Sequence, residues 1–228
     1  PVLRTMSLYE TSDPPAGLEF CQEEISDVLR EKSRKKSTPC PIDGCSYGML
    51  NRIFAESPAF AELMTTTFNL CWSEGHFPKS LKTGVLIFIP KHGKNSFRPI
   101  TLLSTLSKTL ESLILRRLNS AIALPDSLFG FRQDLSTEAC LLKRLETVAA
   151  HQRQGRLSMW IDVDLASAFS NVRVSTLSNG LNTLGCPTRL KSLILSFMSD
   201  RFVKLKDDSC RTQIYDSAPQ GSCLSPTL

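Results

Sequence analysis

Apolar residues recur along this chain at two spacings, and the changes from one to the other mark out its elements. In QEEISDVLREKSRKK, Ile25, Val28 and Leu29 fall on one side of an otherwise polar stretch, which predicts a helix ending in a basic cluster. The prolines and the Asp43-Gly44 pair of STPCPIDG break it. YGMLNRIFAES and PAFAELMTTTFNLCWSEGHF predict two more helices; in the second, Phe60, Leu63, Met64, Phe68 and Cys71 share a face and Gly75 supplies the stop. GVLIFIPK changes the period and predicts a strand, apolar from Val85 to Ile89 and closed by Pro90. Beyond a turn at HGKNS, TLLSTLSKTLESLILRRLNSAI predicts an amphipathic helix with Leu106, Leu110, Leu113, Ile114 and Leu118 inward. STEACLLKRLETVAAHQ predicts another, capped by Ser136 or Thr137, with Glu138 at its positive end. LSMWIDVDL alternates as a strand, VSTLSNGLNTLG and PTRLKSLILSFMSD predict helices divided at Gly185, and FVKLKD and TQIYDSA predict an antiparallel pair. The sum is an α+β chain, helices packed on a small antiparallel sheet.

The 228 residues, 41% hydrophobic, suffice for one large domain or two subdomains. No apolar run is long enough for a membrane-spanning helix. The start PVLRTMSLYE lacks both an initiator methionine and a charged-then-apolar leader, and GSCLSPTL stops at what reads as a helix start; both ends read as cut from a longer chain. The eight cysteines form no C-x-x-C pair, which argues against a structural zinc site and for reduced thiols, most of them buried. The net charge of +5 is unevenly placed: from Lys79 to Leu118, eight basic residues stand against the single acid Glu111. That excess fits a polyanionic partner, nucleic acid or nucleotide phosphate, although a solvated helix face fits Arg116 and Arg117 equally well.

MWIDVDLASAF raises the question of chemistry. In a strand, Trp160, Asp162 and Asp164 point one way while Ile161, Val163 and Leu165 point to a core. Two readings stand on the residues alone. Either the acids turn to water at a strand end, or they hold a divalent cation, since magnesium takes hard oxygen ligands and a strand end offers a carboxylate beside a free carbonyl.

Asp164, followed by Ala168 and Phe169, resembles D-x-x-x-A-[FY], the first catalytic motif of reverse transcriptases. LIFIPKHGKNSFRPITLLSTLSKTLESLILRRL is similar to the fingers segment of that family, DSLFGFRQDLSTEACLL to its F-G-F-R-x-x-x-S-T segment, and APQGSCLSPTL to P-Q-G-S-x-L-S-P. STPCPIDGCSYGML resembles the P-G-P-D-G-[IV]-x-Y motif of the non-LTR (LINE-type) branch. Together these motifs run in the family's order over roughly residues 20–228.

The resemblance implies a right-hand polymerase, with an N-terminal extension over 1–19, a fingers-like region with its front helices over 20–155, and a partial palm over 156–228. It implies RNA-directed DNA synthesis, with an RNA template, a DNA primer and dNTP as partners and Mg2+ as cofactor. Asp164 would be the catalytic carboxylate and would bind both ions of a two-metal transfer, with the carbonyl of Leu165 as a backbone ligand. Lys91 and Arg98 would clamp the triphosphate, Arg98 as a bidentate fork and Lys91 as a point charge. Phe169 would pack under the incoming sugar and exclude a 2′-hydroxyl, and Gln220 and Gly221 would lie against the nascent base pair. Phe129, Phe131 and Arg132 would brace the fingers and the template strand.

Three departures stand out. Ser170 occupies the place of the family's usual acid, Cys40 that of a glycine, and the chain does not reach the [FY]-x-D-D hairpin, so these residues alone are expected to extend no primer. The alternatives are a degenerate, non-catalytic RNA-binding remnant and a maturase-like RNA-binding protein. Cytoplasmic synthesis and work at nuclear DNA follow from the resemblance, supported in sequence only by the basic run REKSRKK.

Overall fold

The computed structural model describes residues 19–34, 38–93, 95–132, 134–206 and 210–228. The expected extension over 1–19 thus lies, apart from Glu19, outside the described residues, as do Lys94 and the end of REKSRKK. Seven helices and four strands are described: α1 Gln22–Ser33, α2 Tyr47–Glu56, α3 Pro58–Glu74, β1 Thr83–Pro90, β2 Phe97–Leu102, α4 Thr105–Ala121, α5 Thr137–Arg153, α6 Val174–Thr183, α7 Thr188–Met198, β3 Arg201–Leu205 and β4 Thr212–Ile214.

The helical starts follow the side chains that satisfy free backbone N–H groups. Ser46 accepts from Met49 N–H at 3.2 Å, Ser57 from Phe60 N–H at 3.4 Å, and Ser136 from Ala139 N–H at 3.2 Å. α1 buries Ile25, Val28 and Leu29 as its spacing predicts. α3 buries Ala61, Met64, Phe68, Cys71 and Trp72, and Leu63 is exposed, contrary to expectation. One residue turns a helix by about 100°, which carries position 63 off the stripe that starts at Ala61. Gly75 ends α3 at φ +60°, and a Cβ there would stand 2.9 Å from the Ser192 Cβ on α7. Both backbone and space therefore require glycine at this crossing.

α4 runs through the middle of the molecule, with Leu110, Leu113, Ile114 and Leu118 buried. Arg117 is buried too: it is bidentate to Glu24 at 2.7 and 2.9 Å and lies 5.2 Å over the Phe20 ring, so it is neither part of a basic face nor solvated. One core joins Phe20, Trp72 and Ile114 to Leu190, Ile194, Phe197 and Leu224, from both sides of position 155. At the C-terminal end of α7, Lys82 donates to the Ser199 carbonyl at 3.2 Å and Arg201 to that of Met198 at 3.4 Å, where a cation suits the helix dipole. Burial pushes the Lys82 amine below its ordinary value, and lowers Arg201 to about 10. Of the cysteines, only Cys71 and Cys186 are fully buried; four others are half-buried, and Cys21 and Cys210 are exposed.

The sheet has the order β2-β1-β3-β4. β1/β2 and β3/β4 are antiparallel, but β1 and β3 pair in parallel, Thr83 opposite Phe202, so the sheet is mixed where an antiparallel one is expected. Helices fill the chain between β1 and β3 and supply the crossover that a parallel pair requires. β2 has no counterpart in the sequence reading. Its FRPITL is short and interrupted by Pro99, which an outermost strand tolerates because one side of its backbone has no ladder to serve.

The largest departure lies at residues 157–165, which form no strand and are exposed throughout, Val163 at 83%. Alternation describes how a segment would pair, and among the described residues no strand lies beside this one. α5, immediately before it, buries no residue and carries exposed Leu141, Leu142 and Leu145. Among the described residues, no helix is long and apolar enough to cross a membrane.

Candidate functional site

The β1–β2 hairpin carries the two expected phosphate-binding cations. Its turn closes with Lys91 N–H donating to the Ser96 carbonyl at 2.8 Å. Ile89 pairs with Arg98, so Arg98 shares a face with Ile89 and, two residues on, with Lys91. Both cations are exposed, and neither has a carboxylate partner among the described residues. The opposite face holds Phe88 and Phe97, rings edge to face at 6.4 Å.

A loop from Ser217 to Ser225 is held along this hairpin. β2 is the outer strand, and its Thr101 N–H donates to the Gln220 carbonyl at 2.7 Å. Gly221 follows at φ +125°, where a Cβ would stand 2.5 Å from the Thr101 carbonyl oxygen and 3.3 Å from Ile100 Cγ2. Upstream, Ala218 N–H donates to the carbonyl of Phe169 at 2.8 Å. Phe169 sits in a single 3-10 turn, Ala168–Asn171, half-buried against the core. Phe169, Gln220 and Gly221 are thereby joined to the strand that carries Arg98.

Asp164 and Leu165 are not joined to that set by any described hydrogen bond; both lie on the exposed 157–165 stretch. Asp162 accepts from Arg144 of α5 at 2.9 Å, and the Arg144 guanidinium stacks 4.1 Å over Trp160. That contact replaces the shared strand face expected for Trp160, Asp162 and Asp164. Among the described residues, no three His, Cys, Asp or Glu side chains cluster as a metal site would require. One carboxylate and one carbonyl do not by themselves fit two magnesium ions. Of the three residues expected to brace the fingers, Arg132 donates to the carbonyls of Pro125 and Leu128, Phe129 lies under Lys143, and Phe131 is exposed.

The sequence reading passed over the residues that hold the loop: Thr101, Ala218, Ser222 and, above all, Glu111. Glu111 is fully buried on α4 and receives Ser107, Ser222 and the Cys223 N–H. Burial raises its carboxyl above the ordinary range, opposed by those three hydrogen bonds and by Lys108. A signal was present: Glu111 lies three residues before Ile114 and seven before Leu118, on the inward stripe of its helix.

The chain matches the reverse transcriptase (RNA-dependent DNA polymerase) family over residues 89–228. It is 34% identical over 219 residues to the RNA-directed DNA polymerase from mobile element jockey of Drosophila funebris, covering 90% of this chain and 23% of that protein. The corresponding jockey protein of Drosophila melanogaster is 31% identical over 179 residues, covering 73% and 19%. The retrovirus-related Pol polyprotein from type-1 retrotransposable element R1 of Bradysia coprophila is 27% identical, covering 94% and 21%. The chain spans less than a quarter of the length of these relatives.

Proposed function

The chain belongs to the reverse transcriptase (RNA-dependent DNA polymerase) family, and from that premise we propose that it forms the nucleotide-binding part of an RNA-directed DNA polymerase from a LINE-type mobile element. The polymerase would add dNTP to the 3′-hydroxyl of a DNA primer on an RNA template. The reading is carried by the tie between the Ala218–Gly221 loop and β2, beside a hairpin whose Lys91 and Arg98 share one exposed face.

Two cations without a carboxylate partner among the described residues are available to a triphosphate, with no described ion pair to break. Arg98 offers a fork to two phosphate oxygens, while Lys91, at the start of the turn, offers a point charge. The ring of Phe169, fixed through its backbone to Ala218, is suited to exclude a 2′-hydroxyl by steric contact. Gly221, lacking a Cβ, lets the loop approach a base pair on one side and β2 on the other.

Asp164 is assigned as the catalytic carboxylate, Mg2+ as the ion, and the Leu165 carbonyl as a further ligand. Because these donors are too few, the rest must come from elsewhere in the polymerase. The right-hand division into fingers over 20–155 and palm from 156, and work at nuclear DNA after cytoplasmic synthesis, follow from the same reading.

RNA-templated primer extension by the full-length polymerase tests it. Asp164→Asn should abolish product, Lys91→Ala and Arg98→Ala should each raise the KM for dNTP, and Phe169→Val should admit ribonucleotides. The 228-residue chain alone should extend nothing. A full-length wild type that binds RNA yet extends no primer would refute the reading and favour a non-catalytic RNA-binding remnant.

A further inference from the structure

Glu111 is the lone acid of the basic stretch from Lys79 to Leu118, and the roles assigned above leave it unused. It is fully buried, and no lysine or arginine pairs with it among the described residues. One carboxylate oxygen accepts from the Ser107 hydroxyl at 3.1 Å. The other accepts from the Ser222 hydroxyl and from Cys223 N–H, the latter at 3.0 Å. The Ser222 oxygen in turn accepts from Leu224 N–H at 3.0 Å and Ser225 N–H at 3.1 Å.

An apolar residue at this place would spare the cost of burying a carboxyl and would pack as well. What leucine cannot supply is direction. Two bonds from Ser222 and Cys223 to one side chain, itself braced by Ser107 of its own helix, fix where the chain goes immediately after Gln220 and Gly221. The loop is then held at three points by three different elements: Ala218 on Phe169, Gln220 on Thr101 of β2, and Ser222–Cys223 on Glu111 of α4.

We propose that Glu111 is a positioning residue, which anchors the Ser222–Ser225 turn so that Gln220 and Gly221 lie along β2 in the geometry that receives the incoming nucleotide. The proposal rests on the dNTP site proposed above. Its anchoring half concerns this chain alone; its catalytic half needs the polymerase.

Amide hydrogen exchange on the 228-residue chain reads the anchor directly. Glu111→Ala and, independently, Ser222→Ala should speed exchange at Cys223, Leu224, Ser225 and Thr101 by about tenfold or more, with Leu193 and Ile194 of α7 unchanged. Glu111→Gln keeps an acceptor at the same place and should restore slow exchange at Cys223. Unchanged rates at those four amides, or uniform acceleration that includes α7, would overturn the proposal. In the full-length polymerase, Ser222→Ala and Glu111→Ala should raise the KM for dNTP about tenfold with kcat within about twofold, because a contact made equally in ground and transition states affects binding alone. Glu111→Gln should recover most of that loss. A fall in kcat at constant KM would overturn the positioning role even if the exchange pattern holds. A wild-type polymerase that extends no primer refutes the dNTP-site reading and with it the catalytic half, while the exchange data decide the anchor on their own.

Discussion

Replacing Gly221 with alanine adds one methyl group at the tightest point of the candidate site. The new Cβ would lie 2.5 Å from the Thr101 carbonyl oxygen and 3.3 Å from Ile100 Cγ2, on a backbone at φ +125°. Holding a non-glycine residue in such a conformation costs about 1–3 kcal/mol. Relieving the clash means moving the loop from β2, because the obstructing atom is backbone in a paired strand and cannot rotate away. That movement breaks the 2.7 Å bond from Thr101 N–H to Gln220, worth about 0.5–1.5 kcal/mol. The total is about 2–4 kcal/mol, and at roughly 2–4 °C per kcal/mol for a chain of this size, Tm should fall by about 5–15 °C. The control is Gly180→Ala, inside α6, where an added Cβ meets nothing within 4 Å. There alanine should stabilise by about 0.5–1 kcal/mol. Calorimetry on both variants gives the two signs, and exchange at Thr101 N–H tells loop release from global loss. Equal Tm values for Gly221→Ala and wild type, with Thr101 still protected, would refute the packing argument.

Three further outcomes are expected. Arg117→Met should destabilise by about 3–5 kcal/mol in urea, since it strands Glu24 at the edge of the core, and adding Glu24→Gln should recover part of the loss; a change under about 1 kcal/mol would contradict the buried pair. Because burial raises the Glu111 carboxyl above its ordinary 4.5, the folded chain holds the proton more tightly than the unfolded one, and the stability this gives is full below 4.5 and lost as pH rises through the raised value. Wild type should therefore lose stability relative to Glu111→Gln on raising pH from 4.5, with Lys108, Arg201, Tyr47 and Cys223 as the neighbouring ionisable groups; parallel urea midpoints would count against it. Iodoacetamide should label exposed Cys210 well before buried Cys71, whose thiol burial also pushes upward, and equal rates by mass spectrometry would mean that α3 is not seated as described.

Helices with a one-sided apolar stripe were legible in the sequence because their burial is set by their own spacing. α1 buries the residues that the pattern nominates, α4 buries Leu110, Leu113, Ile114 and Leu118 with Leu106 half-buried, and on α3 Leu63 falls one position off the buried stripe. Strands are a different matter, since pairing belongs to two segments at once. FRPITL carries no alternation that outweighs its proline, yet it becomes β2 once β1 offers a partner. SMWIDVDL alternates well and remains unpaired. Of the site, Lys91 and Arg98 came from the family resemblance, and only the pairing of β1 with β2 sets them on one face; the hold of Glu111 on Ser222 joins residues more than a hundred positions apart, so the helical spacing that marks Glu111 as inward could not name its partner. Arg117 misled for the same reason: its partner Glu24 is remote, so a buried pair looked like surface charge.

The parallel pairing of β1 with β3 has a consequence for synthesis. The partner of Thr83 is Phe202, more than a hundred residues further along, so β1 and β2 are made well before it. A nascent chain must therefore carry a finished hairpin with one bare edge, and α4 without α7 beside it, until α7 and β3 emerge. A chain interrupted ahead of Leu205 would not be a smaller domain; it would present an open sheet edge, the kind of surface on which proteins aggregate.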